Sequence, residues 1–247
     1  MRKKYKFFVV SDIHGHYTKL TEALKEAGFD ADDECHVFIG CGDYFDRGEE
    51  NRAVYDYLCS LKRKVLVRGN HEDLLIHAID RGYINYADVH NGTDITLDEF
   101  YGPGKVSRAG EITEDAETEK TLREFVASTR NYFESDKYVF VHGWVPSVDI
   151  GRSCEPHPMW RSAKDREWEH ARFLCWNDLY KKGCMIRGKT IVCGHRVAAY
   201  GCLFDKSRSQ TDTTPFYGDG VIAIDACTAV SGRVNVIVIE DAADLNF

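Results

Sequence analysis

Three times in the first eighty residues, a short apolar run ends in a polar loop and gives way to helical spacing. Residues 5–10 form the first run, which stops at Ser11-Asp12-Ile13-His14-Gly15. Leu20, Leu24 and Ala27 follow at helical intervals, and Gly28 ends that segment. Val37-Phe38-Ile39 leads to Gly40, then Ala53, Val54, Tyr57, Leu58 and Leu61 give a second amphipathic helix. Val65-Leu66-Val67 leads to Gly69-Asn70-His71, with Leu74, Leu75, Ala78 and Ile79 behind it. Repeated strand, loop and helix imply parallel strands joined by crossover helices, hence an α/β chain. In such sheets, ligands bind beyond the carboxyl ends of the strands. The loops there are the first place to look for chemistry.

The remainder is less periodic. Residues 83–117 contain Asn91-Gly92-Thr93-Asp94 and Gly102-Pro103-Gly104, both turn signals, and read as an insertion or cap that is partly helical. A helix is expected near 117–130 and a strand over 138–141, ending at His142-Gly143. Residues 146–164 read as a long loop and 165–182 as helix. Strands are expected over 190–193, 221–224 and 234–239, and the late ones suit a second sheet. No repeat or linker interrupts the chain, so a single domain over 1–247 is expected.

Composition narrows the function. A net charge of −8 leaves no global basic field, so no stable nucleic-acid partner is expected. The nine cysteines contain no C-x-x-C pair and are an odd number, which argues against both a zinc knuckle and a disulfide framework. They read as reduced thiols of a cytoplasmic protein. Asp12 and His14 cut the apolar N-terminal run far short of a signal-peptide core or membrane span.

Five strand-ending loops carry Asp12 with His14, Asp43, Asn70, His142 and His195. Any one of these has an ordinary explanation as a turn or capping residue. Together they form a set of oxygen and imidazole donors with no thiolate, which suits Mn, Fe or Zn in five- or six-coordinate sites. A carboxylate such as Asp43 can bridge two ions roughly 3.5–4 Å apart and so favour a bridging hydroxide near neutral pH. Asn70 contributes a neutral oxygen, which keeps the site attractive to a phosphate dianion.

These loops carry a resemblance. Ser11-Asp12-Ile13-His14-Gly15 resembles the first motif of the calcineurin-like metallophosphoesterases. Gly42-Asp43-Tyr44-Phe45-Asp46-Arg47-Gly48 is similar to the second, in the form typical of phosphoprotein phosphatases. Gly69-Asn70-His71-Glu72, Val141-His142-Gly143 and Cys193-Gly194-His195 resemble the later motifs. The resemblance implies two mixed β-sheets packed as a sandwich and flanked by helices, a four-layer α/β/β/α fold. It further implies that Asp12 and His14 hold one metal, Asp43 bridges, and Asn70, His142 and His195 hold the other. Two divalent ions are expected, Mn first, with Fe or Zn as alternatives.

Arg47 supplies a planar guanidinium able to grip two phosphate oxygens. His71 follows the ligand position directly and suits the role of general acid to the leaving alkoxide, oriented by Asp46. Many relatives carry a second phosphate-binding arginine after a tryptophan; here Arg172 is the nearest candidate and Arg161 the alternative. The expected activity is phosphomonoester hydrolysis on phosphoserine or phosphothreonine proteins. Diadenosine tetraphosphate or another small phosphate ester is the alternative substrate, and a catalytically silent scaffold is the remote one.

Overall fold

Along the chain run β1 (Lys4–Val10), α1 (Tyr17–Glu26), β2 (His36–Cys41), α2 (Asn51–Ser60), β3 (Lys64–Val67) and α3 (Asn70–Arg81). Then come α4 (Tyr86–Asn91), α5 (Thr93–Tyr101), α6 (Ala116–Ser128), β4 (Phe133–Glu134) and β5 (Tyr138–Phe140). The second half contains β6 (Ser147–Ile150), β7 (Ser153–Pro156), α7 (Asp165–Arg172), α8 (Trp176–Lys181) and β8 (Thr190–Cys193). It closes with β9 (Phe216–Gly218), β10 (Val221–Ala223), α9 (Thr228–Ser231) and β11 (Ile237–Ala242). This is a computed structural model, and it describes residues 3–107, 109–245 and 247.

Two mixed sheets stack face to face. The first has the order β11-β1-β2-β3, with β1, β2 and β3 parallel and β11 antiparallel to β1. The second has the order β4-β5-β8-β10-β9, with β5, β8 and β10 parallel and both edges antiparallel. Side chains alternate across a strand, so β1 serves two cores at once. Tyr5, Phe7 and Val9 join Val37, Ile39, Phe140 and Val192 between the sheets. Phe8 and Val10 face the other way, into the layer of Leu20, Leu24, Val54, Leu58 and Leu75 from α1, α2 and α3. On the far side, Val139, Ile191 and Cys193 pack on Trp168 and Trp176 of α7 and α8. The result is helix, sheet, sheet, helix, the layered fold expected from the motifs.

The inter-sheet core should be intolerant of voids. Phe7 is fully buried, with Phe133 and Phe140 ring centroids each 5.9 Å away. Phe7→Ala is expected to lower unfolding stability by roughly 3–5 kcal/mol in urea titration. A loss under about 1 kcal/mol would mean that the sheets do not rely on this contact.

Three sequence expectations need correction. The run at 234–239 pairs with the first sheet, not the second, and starts only at Ile237. Asn235 donates its side-chain NH₂ to Thr213 O (2.7 Å) and Ile224 O (3.1 Å), which ties the approach to the second sheet and delays the strand. The loop at 146–164 contains the β6–β7 hairpin and a short 3₁₀ turn at Trp160–Ser162. The helix at 165–182 is two helices, broken where Ala171 O accepts the Trp144 N–H at 3.0 Å. Residues 83–117 carry α4 and α5, and α6 begins at Ala116.

Candidate metal centre

The loops beyond β1, β2, β8 and β10 hold an unusual backbone. Among the described residues, seven non-glycine positions have left-handed φ: Asp12 (52°), His14 (48°), Asp43 (56°), Asp46 (73°), Arg47 (67°), His195 (61°) and Cys227 (54°). Six of these are site residues named from the sequence. Each such conformation costs roughly 1–3 kcal/mol and persists only where neighbours over-determine it. The neighbours are visible. Asp12 N–H donates to Gly42 O (3.1 Å), His14 N–H to Asp43 O (3.0 Å) and Gly15 N–H to Tyr44 O (2.9 Å), so the first two loops are stitched together. Glu72, fully buried in the first turn of α3, accepts the N–H groups of Asp43 (3.0 Å), Tyr44 (2.8 Å) and Gly69 (2.8 Å).

This scaffold brings three imidazoles around one carboxylate oxygen. Asp43 Oδ2 lies 3.2 Å from His142 Nε2, 3.7 Å from His14 Nε2 and 3.9 Å from His71 Nε2. Its other oxygen accepts the His71 backbone N–H at 3.0 Å. His142 Nδ1 is 2.7 Å from Cys41 O, and His14 Nδ1 is 2.9 Å from Phe45 O. A carbonyl only accepts, so both Nδ1 atoms carry the proton and both Nε2 atoms turn inward. This is how histidines are oriented when Nε2 serves as a metal ligand. Asn70 Oδ1 sits 2.9 Å from His142 Nε2, on the same side.

The donor set fits a pair of cations. Two groups of potential ligand atoms meet, His14 with Asp43 and His71, and Asp43 with His142 and His195, and Asp43 is common to both. Asp12 falls in neither group. Its Oδ2 accepts from Ser11 Oγ (2.5 Å) and from the His195 N–H (3.0 Å), so it also orients the His195 loop. Gly194 makes that approach possible: a Cβ there would lie 1.9 Å from Ser11 Oγ and 2.1 Å from Asp12 Oδ2.

Electrostatics follow from burial without solvent. Burial, then the facing His71, holds His14 well below the usual imidazole range. Burial and His142 bring His195 down to about 4. Both are neutral donors near pH 7. Burial opposes the charge on Asp43, but His142, His71 and His14 outweigh it and hold the carboxyl well below its usual range. Burial also opposes charge on His142, yet Asp43 raises it to about 10. Burial and Asp225 push Asp12 up. A buried cluster of this kind favours bound positive charge.

His71 and Asp46 form a separate pair beside the cluster. Nδ1 of His71 is 2.8 Å from Asp46 Oδ2, and Asp46 is fully buried. Arg47 is exposed, and its Nη2 lies 3.4 Å from His71 Nε2. It forms no ion pair among the described residues, so its guanidinium is open to an anion. Arg172 is engaged elsewhere. Its guanidinium is buried and donates to Asp73 (2.9 Å) and Asn131 (2.7 Å). Arg161 holds Glu134 through two bonds of 2.7 and 2.8 Å. Neither arginine is brought together with Arg47 and His71.

Sequence reasoning passed over three supporting residues. Glu72 stands in the sequence only as the last residue of the third motif, although its place three residues after Gly69 is a capping signal. Trp176 donates its indole N–H to Arg196 O at 2.8 Å and so braces the turn after His195. Asp225 is buried two residues beyond β10 and accepts the Cys227 N–H at 2.6 Å. It is another strand-ending aspartate, and that was the available signal.

Comparison with known proteins gives the class. The profile of the calcineurin-like phosphoesterases matches residues 5–218. A serine/threonine-protein phosphatase 2 of Salmonella typhimurium is 28% identical over 200 residues, 80% of this chain and 82% of that one. A serine/threonine-protein phosphatase 7 of Arabidopsis thaliana is 44% identical, but over 69 residues, which span 26% of this chain and only 16% of the relative. A structure assigned provisionally as a diadenosine tetraphosphatase superposes with TM-score 0.59 at 13% identity, covering 98% of this chain and 95% of that one. A yeast protein serine/threonine phosphatase superposes with TM-score 0.51 at 13% identity, covering 98% and 81%. These two likenesses speak for the fold alone. The chain belongs to the calcineurin-like phosphoesterases, a family of metal-dependent hydrolases of phosphate esters. Among the described residues, no helix is long and apolar enough to cross a membrane.

Proposed function

We propose that this chain hydrolyses phosphate monoesters at a two-metal site and that its substrates are phosphoserine and phosphothreonine in proteins. The observation that carries the reading is the convergence of three imidazole Nε2 atoms on Asp43 Oδ2, two of them oriented by backbone carbonyls. In this reading Asp12, His14 and Asp43 hold one ion, and Asp43, Asn70, His142 and His195 the other. Bound ions supply Lewis acidity and a nucleophile near neutral pH. Arg47 grips two phosphate oxygens and keeps them in line. His71, held by Asp46, gives its Nε2 proton to the departing oxygen. Arg172 has no part, because its guanidinium is committed to Asp73 and Asn131. The protein-phosphatase substrate class is favoured by the Salmonella relative, which matches four-fifths of both chains.

A substrate panel tests this. Chelator treatment is expected to abolish turnover, and Mn to restore it better than Mg, because imidazole donors suit Mn. Metal-loaded protein is expected to dephosphorylate a phosphoserine peptide. Full turnover in chelator would overturn the metal mechanism. Turnover of diadenosine tetraphosphate with none of the phosphopeptide would overturn the substrate class.

A further inference from the structure

The Asp46 carboxylate has partners from a part of the chain that carries none of the recognised motifs. Thr93 Oγ1 donates to Asp46 Oδ2 at 3.0 Å, the same oxygen that meets His71 Nδ1 at 2.8 Å. Thr96 Oγ1 donates to Asp46 Oδ1 at 2.7 Å and accepts the Asp46 backbone N–H at 3.0 Å. Both threonines are fully buried, as is Asp46. They stand three residues apart on α5 and therefore share one face of that helix.

The mounting of α5 is equally specific. Gly92, with φ 86°, precedes the helix, and a Cβ there would lie 2.3 Å from Arg47 N. The inserted segment therefore rests directly on the Asp46-Arg47 peptide. One turn further on, Glu99 accepts from Asn51 Nδ2 (2.7 Å) and Arg52 N–H (2.8 Å) at the start of α2. The helix is anchored on both sides of the loop whose carboxylate it supplies with donors. Neither threonine caps its own helix; both hydroxyls are turned to Asp46.

We infer that Thr93 and Thr96 are positioning residues for leaving-group protonation, fixing the Asp46 carboxylate so that His71 Nε2 faces the departing oxygen. This rests on the reading of His71 as the general acid. As the bond from phosphorus to the leaving oxygen breaks, one proton passes from His71 Nε2 to that oxygen. Water supplies the hydroxyl that bonds to phosphorus and, through solvent, the proton that restores His71. Asp46 keeps the His71 Nδ1–H directed at its Oδ2. With a hydroxyl removed, a buried carboxylate loses a donor and gains freedom to rotate. The imidazole then samples orientations that miss the leaving oxygen.

The test compares a phosphoserine peptide with p-nitrophenyl phosphate, whose leaving group needs little protonation. Thr93→Val and Thr96→Val keep the shape and remove the hydroxyl. Each is expected to lower kcat for phosphoserine about tenfold and for p-nitrophenyl phosphate under about threefold, with KM and metal content unchanged. Thr96→Ser is expected to recover most of the loss. In a His71→Asn background, Thr96→Val is expected to add nothing further. If a valine variant fails to fold, Thr93→Ala, which leaves Asp46 the His71 and Thr96 donors, carries the same readout. Equal losses on both substrates, or an undiminished loss in the His71→Asn background, would overturn the inference while leaving His71 as the acid. A His71→Asn enzyme equally slowed on both substrates would remove the acid reading itself, and this inference with it.

Discussion

His71→Asn is expected to slow phosphoserine hydrolysis by roughly a hundred- to ten-thousand-fold with both metals retained. His71 Nε2 lies 3.9 Å from Asp43 Oδ2, hardly farther than the 3.7 Å of His14, so proximity alone would admit it as a ligand. The difference lies in the other ring nitrogen. His14 and His142 turn Nδ1 to backbone carbonyls, whereas His71 turns it to the Asp46 carboxylate. A carboxylate partner stabilises an imidazolium, which can give up a proton, and Arg47 Nη2 stands 3.4 Å from its Nε2. Steady-state kinetics with metal analysis on the same sample checks the claim. The loss should shrink for p-nitrophenyl phosphate. Loss of a metal on His71→Asn would make His71 a ligand instead.

Asp43→Asn should be worse for every substrate. Asp43 is the one residue shared by both candidate ligand groups, and the amide that replaces its carboxylate carries no charge to divide between two ions. Removing even a ligand's hydrogen-bonding partner commonly costs 10–100-fold in metal affinity, so losing the shared ligand is expected to cost more than about a hundredfold. Here the factor should be the same for phosphoserine and p-nitrophenyl phosphate, because the defect precedes the choice of leaving group. A substrate-dependent loss at full metal occupancy would place Asp43 in the chemistry of the leaving group instead.

Much of the candidate site could be picked out because its residues follow strand ends, where an apolar run stops shortly before Asp12, Asn70 and His142. The parallel order of β1, β2 and β3 then carries the first three loops to one edge without further information. What stayed hidden is tertiary. An apolar run such as 234–239 is equally suited to either sheet, and only the closure of the β1 edge assigns it to the first. The break between α7 and α8 depends on a carbonyl captured by Trp144 N–H, a contact 27 residues away in sequence. Arg172 and Arg161 both follow a tryptophan-rich stretch, but their guanidinium groups answer to Asp73, Asn131 and Glu134. In sequence Thr93 reads as part of a turn and Thr96 as an unremarked residue of the insertion, because hydroxyls aimed at a remote carboxylate leave no local pattern. The left-handed backbone at Asp12, His14, Asp43, Asp46, Arg47 and His195 is likewise invisible in composition, since none of these is glycine.

The central claim is that Asp43 joins two cations. Metal-free protein titrated with Mn and followed by calorimetry and electron paramagnetic resonance tests it directly. The account predicts binding of two ions per chain and a magnetically coupled signal from ions roughly 3.5–4 Å apart, with coupling lost in Asp43→Asn. Saturation at a single ion per chain, or an uncoupled pair whose signal Asp43→Asn leaves unchanged, would contradict it.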